Sequence, residues 1–309
     1  MNQPVQRFPL AHTFSIVARD PISGQMGVAV QSHWFSVGSM VTWGEAGVGV
    51  VATQSMVEPS YGPLGLELMR AGISAPDALR ALLAADEGRD VRQVAMVDAQ
   101  GRVAAHTGAR CIPAAGHETG EGFSAQANMM AHPTVWPAMA AAYRAASGDL
   151  ADRLLAALQA AQDAGGDIRG QQSAAILIVK PHSSGRPWVD RVVELRVEDH
   201  PQPVAELRRV VTLHQAYEHM NAGDAHLSAG RIAEALDDYR AAAGLAPHIA
   251  ELPFWQAVTL ADLGRVEEAL PIFRKVFAEN RDWAELLRRL PGVGLLRDDP
   301  EMLQKILSV

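Results

Sequence analysis

The chain has 309 residues, 48% hydrophobic and 20% charged, enough apolar sequence for two domains that each bury a core. A formal net charge of −8 without a long run of like charge argues against nucleic acid as the main partner, because phosphate binding needs a basic surface. One cysteine, Cys111, excludes an internal disulfide framework and suits a reducing compartment, where it reads as a small buried hydrophobe. No stretch approaches the ~18 apolar residues of a membrane span, and residues 1–12 lack the apolar centre of a secretory signal. The expected location is therefore cytoplasmic, with no membrane partner.

In chain order, strand patterns come first. Thr13–Arg19 and Met26–Ser32 flank the turn residues Asp20-Pro21-Ile22-Ser23-Gly24, and Val37–Trp43 and Gly47–Gln54 read as a third and a fourth strand. The fourth is small and apolar at nearly every position, as suits a strand covered on both faces. The period turns helical over Leu64–Ala71 and Ala75–Ala85, with Ser74 placed as an N-cap. Val91–Asp98 and Arg102–Thr107 predict a hairpin around Ala99-Gln100-Gly101. A glycine-rich passage from Gly116 to Asn128 leads to two Ala-rich helices at about 134–147 and 150–164. Strands at about 172–179 and 188–197 follow. Paired helices set between antiparallel strands predict an α+β layered fold over residues 13–199, not a parallel βαβ sheet.

His200-Pro201-Gln202-Pro203 reads as a linker, and residues 204–309 read as an all-α domain. Within it the segment Gly230–Arg240 returns as Gly264–Arg274, an offset of 34 residues, which is the tetratricopeptide period. Two copies and a helical tail fall short of the three or more repeats that usually stand alone. This segment is expected to pack on the first domain or on a second chain, making a homo-oligomer, and to offer a surface to a protein partner.

Four stretches carry a resemblance: TFSIVARDPISGQMGVAVQSHWFSVGSM, GVGVVATQSMVEPSYGPLGLELMRAG, GEGFSAQANMM and GGDIRGQQSAAIL. Together they resemble the domain-of-unknown-function family 1028, which is grouped with the N-terminal nucleophile (Ntn) hydrolases. The resemblance implies a four-layer αββα sandwich in which a Thr, Ser or Cys becomes the first residue of the mature chain. Its side chain attacks a carbonyl, and its freed α-amine, with a pKa near ~8, serves as base. Thr13 is the matching position, and the implied activity is hydrolysis of a small amide or peptide-like substrate. Typical members begin Met-Thr, whereas twelve residues precede Thr13 here. The His12–Thr13 bond must therefore break, through attack by the Thr13 hydroxyl on its own upstream carbonyl or through a protease. An uncleaved Thr13 lacks its base, and the chain is then a non-catalytic scaffold with a silent hydrolase fold.

Other candidates each carry two readings. His33, at the end of the second strand, shuttles a proton or binds a substrate carboxylate, or is a structural histidine. Ser32 and Ser36 contact substrate or form turns. Asn128 stabilises an oxyanion or caps a helix or turn. In the cluster Gly165–Ser173, Asp167 orients the nucleophile or its amine, while Arg169 holds a substrate carboxylate with Gln171 beside it. The plainer reading is an Asp167–Arg169 pair that fixes the loop, and Arg19 and Asp20 would pair as architecture in the same way. The eleven histidines are scattered without HxH or HExxH spacing, and no helix opens on GxGxxG or a Walker pattern. Neither a metal nor a cofactor is expected.

Overall fold

The computed structural model describes residues 10–309; the rest of the N-terminal extension, residues 1–9, lies outside the described residues. The chain divides into two units, residues 1–211 and 212–309. The first unit opens with β1 (Leu10–Ala11), β2 (Thr13–Arg19), β3 (Met26–Ser32), a single helical turn α1 (Gly38–Val41), β4 (Thr42–Glu45) and β5 (Gly49–Met56). Helices α2 (Tyr61–Arg70) and α3 (Ala75–Ala85) follow, then β6 (Arg92–Asp98), β7 (Val103–Thr107), β8 (Gly116–Gly120) and β9 (Phe123–Ala127). Next come α4 (Val135–Ala145), α5 (Leu150–Asp163), β10 (Ser173–Val179), a short helical turn α6 (Pro187–Asp190) and β11 (Arg191–Val197).

These strands form two antiparallel sheets. One runs β11-β10-β3-β2-β9-β8; the other runs β1-β5-β6-β7, with β4 also pairing β5. Strand alternation decides which side chain enters which core. Phe14, Ile16 and Ala18 of β2 point to α4 and α5, where they meet Met139, Leu154 and Leu158. Val17 points the other way and packs with Val28, Val30, Val50, Ala52, Ala95 and Val97 between the two sheets. The outer face of the second sheet, through Val51, Val94 and Met96, is covered by Leu66, Met69 and Leu79 of α2 and α3. Three apolar layers thus alternate with helices, sheet, sheet and helices.

Several expectations need correction. Val37–Trp43 is not one strand. Its first half is the helical turn α1, favoured because Ser39 donates to the Ser36 carbonyl and Thr42 to the Gly38 carbonyl (2.7 and 2.8 Å). Glycine is needed there, since a Cβ on Gly38 would lie 2.4 Å from the Ala175 Cβ. The passage Gly116–Asn128 is a hairpin, β8–β9, turning at Glu121-Gly122 with Gly122 at φ +71°. The last strand starts at Arg191, after the turn α6. Asp20 does not pair with Arg19; it meets Arg153 of α5 at 3.2 Å and also accepts from Ser23 inside its own turn.

Helix α7 (Pro203–Ser228) starts at the proline-rich segment, and Val204, Leu207 and Val211 enter the helix-side core of the first unit. The division between units falls within this helix. The second unit continues with α8 (Ile232–Leu245), α9 (Glu251–Asp262), α10 (Val266–Glu279), α11 (Asp282–Arg289) and α12 (Pro300–Leu307). Its core holds Tyr239, Phe254, Phe273, Phe277, Leu287 and Ile306. Gly223 lies against Tyr239, so close that a Cβ would approach the ring to 2.7 Å.

Candidate active site

At one end of the inter-sheet space the core changes from apolar to polar without changing strand parity. In β2 the inward positions read Ser15 and Val17, and in β3 Val28, Val30 and Ser32. In β5 they read Val50, Ala52 and Gln54, and in β6 Gln93, Ala95 and Val97. In β9 Ser124 and Gln126 alternate with the helix-facing Phe123, Ala125 and Ala127, and Asn128 continues that parity. Thr13 stands at the polar end of β2, directly opposite Ser32. Thr13, Ser15, Ser32, Gln54, Gln93, Gln126 and Asn128 are all fully buried.

Buried polar groups persist when they satisfy one another, and this set does. Ser15 Oγ donates to Gln54 Oε1 (2.6 Å) and accepts from Gln126 Nε2 (2.7 Å). Gln93 Nε2 donates to the carbonyls of Ala127 (2.9 Å) and Gly116 (3.1 Å), which leaves Gln93 Oε1 as acceptor for Gln54 Nε2 (2.7 Å) and Asn128 Nδ2 (2.9 Å). The Asn128 amide is thereby oriented, with its Oδ1 turned to His12 Nδ1 at 2.8 Å. An acceptor there requires a donor, so His12 carries its proton on Nδ1. Its Nε2 is then a bare lone pair, buried and without a hydrogen bond. Burial pushes the His12 pKa down, the Asn128 bond opposes this, and the nearby Arg169 charge lowers it further.

The His12–Thr13 peptide is gripped on both sides. The His12 carbonyl oxygen accepts from Ser32 Oγ (2.6 Å) and from Arg169 Nη2 (2.8 Å). The Thr13 carbonyl accepts from the Asn128 backbone N–H (3.1 Å), Asn128 Nδ2 (3.4 Å) and Gln54 Nε2 (3.3 Å). Arg169 is held as a fork by Asp167, Nε to Oδ1 at 3.0 Å and Nη2 to Oδ2 at 2.7 Å. The Asp167 side chain is itself fully buried and accepts the backbone N–H groups of His33 (3.3 Å) and Arg169 (2.9 Å). Two hydrogen-bond donors, one of them cationic, thus converge on the carbonyl immediately upstream of Thr13.

Of the residues singled out from sequence, Thr13, Ser32, Asn128, Asp167 and Arg169 come together. Ser32 is not a turn former but a strand residue opposite Thr13. Asn128 caps no helix, because α4 begins at Val135 with Thr134 before it. It follows β9 at a bend where Met129 takes φ +58°. The Arg169 fork is turned to Asp167 and the His12 carbonyl. His33 is exposed, and only its backbone N–H reaches Asp167. Ser36 sits at φ +55° and begins the α1 turn; Gln171 is half-buried in the loop before β10. Sequence reading missed His12, Ser15, Gln54, Gln93 and Gln126. For the last four the signal was polar side chains at the inward parity of their strands, whereas His12 lies outside any strand and carried no such signal.

Cys111 is buried, donates weakly to the Arg92 carbonyl, and has its pKa raised by burial. Among the described residues, no group of three or more His, Cys, Asp or Glu side chains is placed to hold a metal ion, and no helix is long and apolar enough to cross a membrane.

The family of unknown function DUF1028 matches residues 13–207, starting at Thr13 itself. The chain belongs to this family. A search of curated proteins returned no match. Among solved structures, the crystal structure of a DUF1028 protein from Silicibacter pomeroyi is similar, at 33% identity and a TM-score of 0.59. That similarity covers 65% of this chain and 88% of the other. The DUF1028 segment thus takes in both sheets apart from β1, every side chain of the polar cluster except His12, and the start of α7.

Proposed function

We propose that this DUF1028 protein is an Ntn-type amidohydrolase whose nucleophile, Thr13, is released by self-cleavage of the His12–Thr13 bond. The observation that carries the reading is the His12 carbonyl oxygen, held by Ser32 Oγ and Arg169 Nη2 one bond upstream of a buried threonine. The family match starting at Thr13 and the sequence of layers, helices outside two facing sheets, support it.

In cleavage, the Thr13 hydroxyl attacks the His12 carbonyl carbon, and the oxygen becomes an oxyanion between Ser32 and Arg169. The C–N bond breaks, the hydroxyl proton ends on the Thr13 nitrogen, and the chain is left as an ester. Water splits that ester into a His12 carboxylate and a free Thr13 amine. In turnover the amine accepts the Thr13 hydroxyl proton while Thr13 Oγ attacks a substrate amide, then passes the proton to the leaving amine. Water hydrolyses the acyl-threonine and restores the hydroxyl. A donor placed where the oxyanion forms is worth roughly 10²–10³ in rate, and a positioned base roughly 10²–10⁴.

The C-terminal helices belong to the same proposal as a tetratricopeptide-like pair that presents a surface to a protein partner. Helices α8 and α10 support this, starting 34 residues apart, each just after a glycine of positive φ, Gly230 and Gly264.

Intact mass and N-terminal sequencing of the purified protein test the reading. The native chain is expected to start at Thr13 and to be labelled there by a β-lactone, whereas Thr13→Ala keeps residues 1–12. A native chain that retains residues 1–12 and takes no label overturns the proposal, leaving a non-catalytic fold.

A further inference from the structure

Residues 10–12 occupy a seat that self-cleavage vacates. Leu10 and Ala11 pair antiparallel with Met56 and Ser55 of β5. Ser55 pairs Arg92 of β6 on its other side, so β1 lies on the β5 edge that β4 also uses. Pairing with β4 ends at Ala52, and among the described residues Leu10 and Ala11 are the strand partners of the edge beyond it. His12 then drops its ring into a fully buried site against Asn128 Oδ1 and its carbonyl between Ser32 and Arg169.

We infer that the acyl half of the substrate is a short extended peptide that takes this same seat, a proposal that rests on the hydrolase reading above. The acyl groups of cleavage and of turnover are both transferred to Thr13 Oγ, so the second must place its carbonyl carbon where the first did. Main-chain bonds to Ser55 and Met56 supply strand addition, which reads an extended backbone and little else. Selectivity comes from the site that the His12 ring fills. Asn128 Oδ1 faces it as an acceptor that the amide network cannot turn away, since Asn128 Nδ2 is committed to Gln93 Oε1. The residue adjoining the scissile amide therefore carries a side-chain hydrogen-bond donor, as His, Gln and Asn do. An apolar residue of similar size leaves Asn128 Oδ1 buried and unpaired, at a cost of roughly 10- to 100-fold in kcat/KM. The balanced reaction is peptidyl amide plus water to peptidyl carboxylate plus amine.

The test uses the full-length protein after its own processing, with three fluorogenic amides of 7-amino-4-methylcoumarin: acetyl-Leu-Ala-His, acetyl-Leu-Ala-Gln and acetyl-Leu-Ala-Leu. The first two are expected to turn over roughly 10- to 100-fold better than the third, and acetyl-Leu-Ala-His with a free carboxylate is expected to compete with them. A processed chain whose Thr13 takes the β-lactone label, yet which hydrolyses none of the three, overturns this inference while leaving the nucleophile in place. Equal rates for His and Leu overturn the side-chain site. An unprocessed, unlabelled chain overturns both proposals together.

Discussion

Replacing Ser32 by alanine separates the cost to folding from the cost to cleavage. Ser32 is fully buried at the end of β3, and its hydroxyl donates to the His12 carbonyl at 2.6 Å. Alanine deletes one oxygen and leaves that carbonyl with its second donor, Arg169 Nη2 at 2.8 Å. The ground state loses one net hydrogen bond, about 1 kcal/mol of stability. The oxyanion loses far more, because a full charge develops on an oxygen that is then short of one preorganised donor. The barrier to cleavage rises by about 2.7–4 kcal/mol, which is roughly 10²–10³ in rate. The assay is intact mass of freshly purified protein followed over time, with a urea melt of the same sample. Ser32→Ala is expected to be recovered mainly as the full-length chain, to lose residues 1–12 slowly, and to melt within about 1.5 kcal/mol of the unprocessed Thr13→Ala chain. Ser32→Cys, a weaker donor of similar shape, is expected to cleave at an intermediate rate. A Ser32→Ala chain that folds and cleaves as fast as the native one refutes the assignment of Ser32 as an oxyanion donor.

Asp167→Ala strips Arg169 of its fork and leaves the His33 and Arg169 N–H groups without their acceptor. The expected loss is about 2 kcal/mol in a urea melt, held down by the partial exposure of Arg169, together with cleavage slowed by at least about tenfold because the guanidinium is no longer aimed. In the Thr13→Ala chain, which keeps His12, burial holds that imidazole below its ordinary 6.5, so below that pH the unfolded chain binds more protons than the folded one. The contribution of neutral His12 is thus present above pH 6.5 and lost as the pH falls through its depressed folded value. Adding His12→Gln is expected to flatten that acid-side fall in urea midpoints. Gly62→Ala would gain about 1 kcal/mol in an exposed helix, but here the new Cβ would lie 2.3 Å from the Trp43 ring. Overpacking wins, and a net loss of about 1–3 kcal/mol is expected by thermal or urea unfolding.

Elements whose pattern is local were legible in the sequence. Met26–Ser32 and Ala75–Ala85 keep the bounds read from their apolar period, and Ser74 accepts the Asp77 N–H (3.2 Å) as an N-cap does. Val37–Trp43 misled because hydroxyl side chains offered the backbone a local alternative to strand pairing. The β8–β9 hairpin was hidden by its glycines, three of them between Gly116 and Gly122, and with it went the correct reading of Asn128. Gln54 and Gln93 were illegible for a different reason. Each is the single polar residue at the inward positions of its strand, and its meaning comes only from pairing that brings β5, β6, β2 and β9 to one depth. The Gln54–Gln93 bond joins residues 39 positions apart, and the Asn128–Thr13 bond spans 115. Parity can nominate such residues, but only register can assemble them.

A buried cluster of this size calls for a physical reason, because the same strands fill their other inward positions with valine and alanine at no desolvation cost. Its geometry suggests one. A chain terminus frays unless it is tied down, and self-cleavage would turn Thr13 into a terminus in the middle of a core. The ties to Ser32 and Arg169 run through the His12 carbonyl and leave with it. Those to the Thr13 carbonyl stay: the Asn128 N–H, Asn128 Nδ2 and Gln54 Nε2, each fixed in turn by Gln93, Ser15 and the β9 backbone. The network therefore holds Thr13 from its downstream side and keeps its position when the upstream bond is gone. In the proposed reaction Ser32 and Arg169, released from His12, would be left pointing at the place where the next acyl carbonyl arrives.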